Sequence, residues 1–498
     1  MVSFSLEAIS RQLERFAAEL GREYYLSGSG QKEQAELVPI FERYAELWRP
    51  EALERLRELS QGLSSQEEAR EARYLALDLL GSLVSHELRA DLEALENAEL
   101  RAEIRLPDGR SLSYRQAAVA LVNEPERNRR RQLYRARLEV TAQLNPLRIA
   151  LHRRTHELVE ALWGAPLLEA LEELRGHDAR TLRQKLERFA EETEDMYREL
   201  LSWYVGKRLG LELAQLERHD LAHLLRGHQY DSYFPAERLW ESARRFVRAM
   251  GLDETAGGRV RLDLEARPRK SPRAFCVPVR VPEEIYLVIM PHGGVEDYEA
   301  LLHELGHALH FGYTRSDLPY AFRMLGDNSV TEGFAMTFDQ LVQEPIWLRK
   351  VVGVERSEEV ARFLLFQELA LLRRYAGKIA YELELHARRG DVGGMPERYT
   401  ALLGRHTLVA YAPEDFLADV DGFLYITHYL RAWMFAAQLR QYLVETFDED
   451  WYLNPRTGSF LRSWWEWGQR YTAEELLAQI GGSLELTPLV RRLHEAFA

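Results

Sequence analysis

The interpretation of this chain starts from one stretch of thirteen residues, Tyr298-Glu299-Ala300-Leu301-Leu302-His303-Glu304-Leu305-Gly306-His307-Ala308-Leu309-His310. Its apolar residues recur at helical spacing, so it predicts an amphipathic helix. His303 and His307 are four residues apart and lie on one face of that helix, while Glu304 is rotated by about 100° from His303. Two imidazoles in this position can hold one zinc ion, and the glutamate can accept a proton from water on it.

The alternative is an ordinary surface helix that happens to carry these residue types. Two features of the sequence argue against this alternative. Leu301, Leu302 and Leu305 predict that most of the helix is buried. Gly306 stands in the middle of the helix, where glycine costs about 1 kcal/mol relative to alanine. A glycine at this position indicates that another group approaches the helix backbone closely.

A catalytic zinc needs a third protein ligand and an open fourth position. A second helix, predicted to start near Asp327-Asn328-Ser329, offers Glu332 as its first carboxylate. Glu332 has an alternative role, because Ser329 at the N-cap would make Ser-x-x-Glu a capping box. The pattern HExxHxxGxxH is excluded, since residue 310 is histidine and residue 313 is tyrosine. The weaker candidate ligands are Asp317, Asp327, Asp339 and Glu344.

The motif His-Glu-x-Gly-His with Glu332 downstream resembles the thimet oligopeptidase / oligoendopeptidase F family of zinc metallopeptidases. Residues 269–276 are similar to that family's Lys-Arg-x-Gly-Ala-Phe-Cys strand, although Arg273 stands where glycine is usual. Residues 285–290 resemble its apolar strand before the helix. The resemblance covers roughly residues 265–345. It implies a mainly α fold, a large helical peptidase with a deep substrate channel and a small β-sheet beside the zinc helix.

The proposed centre is one Zn²⁺ ion bound by His303, His307 and Glu332, with Glu304 as the catalytic base. The expected substrates are short peptides cut at internal bonds. One rival is a dipeptidyl carboxypeptidase similar to angiotensin-converting enzyme, which shares the motif. A second rival is a non-catalytic peptide-binding protein with a structural metal. The intact Glu304 disfavours it, because a binding protein needs no base there.

The resemblance also implies functional residues outside the motif. In these families a tyrosine from a late helix stabilises the developing oxyanion. The best register places Tyr429 on that donor and Tyr425 on a substrate-facing tyrosine, with His428 beside them. It also places Asp419 where the families carry a histidine. The alternative is an aromatic stripe packed in the core.

Glu299 lies one helical turn before His303, where the family often has a carboxylate. We expect Glu299 to accept a hydrogen bond from His303 and thereby to orient this histidine towards the metal. The alternative is an exposed helix glutamate.

Composition limits the class of protein and its partners. The 498 residues are 46% hydrophobic and 29% charged, which is typical of a soluble globular protein. The net charge of −14 disfavours nucleic acid and anionic membranes as partners. We interpret the basic run 127–131 as a solvated helix face paired with Glu124 and Glu126. The single cysteine, Cys276, excludes an internal disulfide and suits a reducing compartment.

No apolar run is long enough to span a membrane, and the first residues lack the features of a signal peptide. We therefore expect a cytoplasmic protein. We also expect two lobes of one catalytic unit, an N-terminal helical lobe with a small hairpin (1–190) and a catalytic lobe with the zinc site (191–498). His219 and His223 are also four residues apart, but Asp220 replaces the required glutamate, so we interpret them as a polar helix end or channel wall. Strands are predicted for a hairpin at 102–114, with its turn at Pro107-Asp108-Gly109, and at 260–264, 274–277 and 285–290.

Overall fold

Helices form most of the chain, as the apolar periodicity predicts. The computed structural model describes residues 5–106 and 109–497. The first part contains α1 (Leu6–Gly28), α2 (Val38–Arg43), α3 (Pro50–Gly62), α4 (Gln66–Glu87), α5 (Arg89–Arg101), β1 (Glu103–Arg105), β2 (Ser111–Ser113), α6 (Tyr114–Asn123), α7 (Arg127–Trp163), α8 (Leu167–Arg175), α9 (Ala179–Glu192), α10 (Glu194–Leu209), α11 (Arg218–Leu225) and α12 (Ala236–Ala249).

The second part begins with a small sheet and continues as helices. It contains β3 (Val260–Asp263), β4 (Phe275–Arg280), β5 (Glu284–Val288), α13 (Val295–Tyr313), α14 (Asn328–Asp339), α15 (Pro345–Trp347), α16 (Ser357–Ala387), α17 (Met395–Thr407), α18 (Ile426–Phe447), α19 (Pro455–Trp465), α20 (Ala473–Ala478) and α21 (Thr487–Phe497). The predicted mainly helical fold with a small sheet is confirmed.

The predicted hairpin forms from β1 and β2, which pair antiparallel with Ile104 opposite Leu112. Two residues of its predicted turn, Pro107 and Asp108, lie outside the described residues. Ser113 ends β2 and caps α6, because its side chain accepts a hydrogen bond from the backbone N–H of Gln116.

The three-stranded sheet has the order β3-β5-β4. β5 pairs in parallel with β3 and antiparallel with β4, which leaves β4 at one edge. The sheet lies against α13, because Gly312 near the end of that helix meets Val260 and Ile285. The strands predicted near residues 260, 275 and 285 are therefore confirmed, and they border the helix that carries His303 and His307.

Two glycines allow α13, α14 and α18 to pack closely. A Cβ on Gly306 of α13 would lie 2.6 Å from the Cα of Ala335 on α14. A Cβ on Gly333 of α14 would lie 2.4 Å from a ring carbon of Phe435 on α18. No side chain fits at either place. The close approach that Gly306 predicted is therefore found, and it joins the helices that carry the candidate site.

The basic run at the start of α7 is only partly the expected solvated face: Asn128 and Arg129 are exposed, but Arg130 is buried. Arg130 is 1% exposed, and both Arg127 and Arg130 donate hydrogen bonds to Asp220, which is fully buried. Burial of these charges requires close partners, and Asp220 supplies them. His219 is also fully buried, beside Arg130 and Glu217. His219 therefore does not line a channel.

One hydrophobic core runs through both parts of the chain, from Ile9 of α1 to Leu493 of α21. The predicted lobe boundary at residues 190 and 191 falls inside α9. The division into two lobes stays a prediction. Within residues 5–106 and 109–497, no helix is both long enough and apolar enough to cross a membrane.

Candidate metal centre

The helix α13 carries His303 and His307 with their rings side by side. Its N-cap is Gly294, whose φ of 93° is accessible to glycine at little cost. The two Nε2 atoms lie 3.2 Å apart, and the side chains remain 23% and 13% exposed. Both nitrogens therefore point to one place that solvent can reach.

Glu332 reaches the same place from the neighbouring helix α14. Its Oε2 lies 3.4 Å from His303 Nε2 and 3.7 Å from His307 Nε2. The capping-box alternative is wrong, because α14 begins at Asn328 and its N-cap is Asp327, which accepts a hydrogen bond from Ser329 N. Ser329 is therefore inside the helix. The Oε2 atom of Glu332 is buried and has no hydrogen-bond partner among the described residues.

Each histidine is oriented by a residue of α14. His303 Nδ1 lies 2.8 Å from Asp339 Oδ2, and His307 Nδ1 lies 2.8 Å from Thr331 Oγ1. The carboxylate that contacts His303 Nδ1 is therefore that of Asp339, and not that of Glu299 as the sequence predicted. The physical reason is the direction in which His303 Nδ1 points. It faces α14, which carries Asp339, and not the preceding turn of its own helix, which carries Glu299. Asp339 lies seven residues after Glu332, which is two helical turns, and this spacing was the available signal.

The other weaker candidate ligands are engaged elsewhere. Asp317 pairs with Arg315 at the surface, and Asp327 accepts a hydrogen bond from Arg431. Glu344 accepts hydrogen bonds from Arg440. Asp317, Asp327 and Glu344 are therefore not brought to the histidine pair.

Glu304 lies next to the strand β4. Its Oε2 accepts a hydrogen bond of 2.8 Å from the backbone N–H of Cys276. Because β4 is an edge strand, this amide is free of the β5 ladder and can hold the glutamate. Burial raises the pKa of Glu304 to about 7. A carboxyl group with this pKa can accept and return a proton near neutral pH.

The charges of this cluster favour a cation. Burial alone would lower the pKa of His303, but its hydrogen bond with Asp339 and the nearby Glu332 carboxylate raise it well above the ordinary value. By contrast, burial and the charge on His303 lower the pKa of His307 to about 3. A protonated His303 between two carboxylates places positive charge where a bound metal ion would place it.

Tyr425 and Tyr429 lie at the start of α18, and their ring centroids are 5.0 Å apart. The hydroxyl of Tyr425 donates a hydrogen bond of 2.9 Å to Glu332 Oε1. Burial is the main cause that raises the pKa of Tyr429, and the charges of Glu332 and Glu304 raise it further. Both tyrosines are therefore close to the cluster, as the sequence predicted, but Tyr425 contacts a candidate ligand.

His428 lies beside Tyr425, with ring centroids 5.0 Å apart, but its Nδ1 faces Asp327. It is 4% exposed, its Nδ1 lies 3.8 Å from Asp327 Oδ1, and its ring neighbours that of His177. Consecutive residues of a helix are rotated by about 100°, so His428 cannot share the face of Tyr429. No contact joins His428 to His303, His307 or Glu332 among the described residues, so its catalytic role stays a prediction and it has no part in the chemistry proposed below.

The three predicted ligands fit a single metal ion. One ligand atom each from His303, His307 and Glu332 lies within 4.8 Å of the others. Two nitrogens and one oxygen are the donor types of a catalytic divalent site with an open position. A cation would also provide the partner that the buried Oε2 atom of Glu332 lacks. The residues that the sequence singled out as ligands can thus hold a metal.

The fold is shared with solved metallocarboxypeptidase structures. A carboxypeptidase of Pyrococcus furiosus is 14% identical and matches with a TM-score of 0.62, covering 99% of this chain and 98% of its own. Metallocarboxypeptidase 1 of Trypanosoma cruzi is 16% identical, with the same TM-score and the same coverage. No protein-family model and no curated protein matches the sequence. The similarity establishes a large helical fold that runs through the whole chain.

Proposed function

We propose that this protein is a zinc-dependent peptidase that acts on short peptides. The observation that carries the proposal is the convergence of His303, His307 and Glu332 on one point, with Glu304 held beside them by Cys276 N. Two histidines and a glutamate form a known ligand set of catalytic zinc in peptidases. The fold shared with two metallocarboxypeptidases supports the same class. The cytoplasmic location expected from the single cysteine stays a prediction.

Zinc in such a site acidifies water and polarises a carbonyl oxygen. In this proposal Glu304 accepts the proton of the attacking water and returns it to the nitrogen of the departing amine. Its Oε2 is held by Cys276 N, so Oε1 is the oxygen that carries the proton. This hydrogen bond fixes the carboxylate and reduces the freedom that it would lose during the reaction.

The two tyrosines have different proposed roles. Tyr425 holds Oε1 of Glu332 and thereby directs Oε2 towards the histidines. Tyr429 lies beside Tyr425 and, in this proposal, donates a hydrogen bond to the oxyanion that develops from the substrate carbonyl. The contacts at the start of α18 thus separate a residue that orients a candidate ligand from one that meets the substrate.

The edge strand β4 offers a place for an extended peptide. A peptide can pair with an edge strand through main-chain hydrogen bonds, and this mode tolerates many sequences. Because Cys276 of β4 holds Glu304, a peptide beside this strand would lie next to the base. The deep substrate channel expected from the resemblance remains part of the proposal.

Two bond preferences are supported by separate observations. The resemblance to the thimet oligopeptidase / oligoendopeptidase F family favours internal bonds, which is the preference that we propose first. The second candidate is a carboxypeptidase, because both structural neighbours carry that name. A carboxypeptidase needs a cation for the terminal carboxylate. Arg374 and Lys378 lie over the ring of Tyr375, which contacts Tyr429. Arg374 is already paired with Asp419, and Lys378 is already paired with Asp421.

Peptides with free and blocked ends distinguish these preferences. The zinc-loaded protein should cut a peptide that is acetylated at its N-terminus and amidated at its C-terminus, and mass spectrometry should show two internal fragments. Loss of single residues, only from a free C-terminus, would assign the protein as a carboxypeptidase, and loss of dipeptides would assign the dipeptidyl form.

Glu304→Gln provides the control for the chemistry. It keeps the side-chain size and the hydrogen bond from Cys276 N but removes the base, so it should retain zinc and lose turnover. Cleavage by Glu304→Gln at the wild-type rate would refute the proposed function, as would a zinc-loaded wild type that cuts none of the peptides.

A further inference from the structure

A second group of three histidines lies far along the chain from the metal centre. His152 and His156 are one turn apart on α7, and His386 is in the last turn of α16. One ring nitrogen of each lies within 4.8 Å of the others. Among the described residues this is the one metal-compatible group besides that of His303, His307 and Glu332. Its two histidines on α7 repeat the spacing of His303 and His307.

The distances within this group fit a common metal ion. His156 Nε2 lies 3.1 Å from His386 Nδ1. Two nitrogens bound to a tetrahedral zinc at 2.0–2.1 Å are about 3.3 Å apart. The ring of His152 completes the group, with its centroid 4.8 Å from that of His156 and 5.4 Å from that of His386. Ligation by all three therefore needs only small movements of the rings.

The hydrogen bonds of this group are incomplete. One hydrogen bond joins His156 and His386, but His152 Nε2 and His386 Nε2 are buried and have no partner within residues 5–106 and 109–497. Buried polar atoms normally have partners, and an unpaired one costs about 1–3 kcal/mol. A metal ion would use the lone pair of His152 and remove part of this cost.

The surroundings keep these imidazoles in the form that binds metals. Burial lowers the pKa of His152 to about 4, and burial also lowers the pKa of His156 and His386. Neutral imidazole is the ligand form, so no proton needs to be displaced at neutral pH. His386 is next to the C-terminal residue of α16, where the helix dipole favours a cation.

We propose that His152, His156 and His386 bind a second metal ion, a divalent transition metal such as zinc. A set of three neutral nitrogens suits Zn²⁺, Co²⁺, Ni²⁺ or Cu²⁺ rather than Mg²⁺ or Ca²⁺, which prefer oxygen ligands. A cavity of ≈350 Å³, lined by His152 and His386 together with Leu417 and Phe423, leaves space for a water molecule as fourth ligand.

This second ion would have a structural role. Arg153 stands after His152, where Glu304 stands after His303, so this group lacks the glutamate that serves as base in the HExxH motif. The ion would instead connect α7 to the end of α16. The turn that follows α16 already approaches α7 there, because a Cβ on Gly390 would lie 3.0 Å from the Cα of Arg153. A metal bond at this contact would restrain the two helices against separation.

The number of metal ions bound per chain tests the proposal. The protein is stripped with a chelator, reloaded with Zn²⁺ and dialysed, and zinc is measured against protein concentration. The wild type should bind two ions. The double variant His303→Gln/His307→Gln should keep one, and His152→Ala should also keep one. Combining the three changes should leave none.

His223→Ala is the matched control. His223 is four residues from His219, as His156 is from His152, but within the described part of the chain it belongs to no group that could hold a metal. It should retain two ions. Co²⁺ gives a second measurement in the double variant, since a tetrahedral nitrogen site produces strong visible absorption. That absorption should disappear when His152→Ala is added, while circular dichroism shows an unchanged helix content.

Several outcomes would overturn the proposal. A wild type that binds one ion, and a double variant that binds none, would show that the three histidines form only a hydrogen-bonded cluster. A second ion that survives His152→Ala and His156→Gln would show binding elsewhere on the protein. Because His156→Gln can still donate a hydrogen bond to His386 Nδ1, it should lose metal while retaining the fold. None of these measurements depends on peptidase activity.

Discussion

At the residue scale, each candidate ligand is held by a second side chain, and Asp339 is the one that we expect to matter most. It contacts His303 Nδ1, whereas Glu299 does not. Residues that orient metal ligands typically contribute 10–100-fold in metal affinity. Asp339→Asn should therefore weaken zinc binding by about 10-fold or more in a chelator competition. Glu299→Gln is the matched control and should leave the affinity unchanged. If Glu299→Gln weakens zinc binding and Asp339→Asn does not, then Glu299 is the residue that orients His303.

The two tyrosines should separate metal binding from turnover. Tyr425→Phe removes the hydrogen bond to Glu332, so it should lower zinc affinity by about 10-fold. Tyr429→Phe should retain zinc and lower kcat by roughly 10²–10³, because its hydrogen bond forms mainly in the transition state. Zinc affinity and kcat at saturating zinc test both. If Tyr429→Phe stays within a few-fold of the wild type, Tyr429 is not the oxyanion donor.

The sequence could point to the candidate ligands because their spacing is local. His303 and His307 are fixed relative to each other by the helix itself. Glu332 could be proposed because it is the first carboxylate of the next predicted helix. The partners of these ligands were not identified correctly, because they depend on how α14 and α18 meet α13. His428 lies beside Tyr425 as expected, but its Nδ1 faces Asp327 rather than a candidate ligand. The contacts of these side chains depend on how the helices pack, which cannot be derived from a single sequence.

At the element scale, Gly306 is the contact that sets the distance between α13 and α14. An added Cβ would lie 2.6 Å from Ala335 Cα and 2.9 Å from Phe334 O. Gly306→Ala should destabilise the protein by about 1–3 kcal/mol through overpacking, despite the better helix propensity of alanine. It should also weaken zinc binding, since α14 carries Glu332. Urea unfolding and zinc titration measure the two effects.

Gly81 provides the control for this change. It lies within α4, and nothing is within 4 Å of its hypothetical Cβ. Gly81→Ala should therefore be neutral or stabilise the protein by up to about 1 kcal/mol, with zinc binding unchanged. Equal effects of the two substitutions would contradict the role of Gly306 in helix packing.

The elements themselves could largely be predicted, while their pairing could not. Helices and strands follow from local periodicity and turn residues, so the segments near residues 260, 275 and 285 were found as strands. The order β3-β5-β4, with β5 parallel to β3, depends on contacts between the strands, which local periodicity does not determine. The same is true of Asp220, whose partners Arg127 and Arg130 lie some ninety residues earlier.

At the scale of the whole molecule, one core joins the N-terminal helices to the helices of the metal centre. The centre draws on the sheet, α13, α14 and α18, so its geometry depends on the stability of the entire fold. The buried charges that surround it should make that stability depend on pH. Glu368 of α16 is suited to measure this, because it is 6% exposed and does not contact a candidate ligand.

Burial raises the pKa of Glu368 from 4.5 to about 7. Between these two values the folded protein holds a proton that the unfolded chain has released. Stability from this group should therefore be fully present below pH 4.5 and should fall as pH rises towards 7, by an amount on the order of 3 kcal/mol. Glu368→Gln cannot release the proton, so its free energy of unfolding should fall less between pH 5 and pH 8 than that of the wild type. Urea unfolding of the metal-free proteins at both pH values measures the difference, with the exposed Glu358→Gln of the same helix as control. Identical pH dependence in Glu368→Gln and the wild type would show that Glu368 titrates as it does in the unfolded chain.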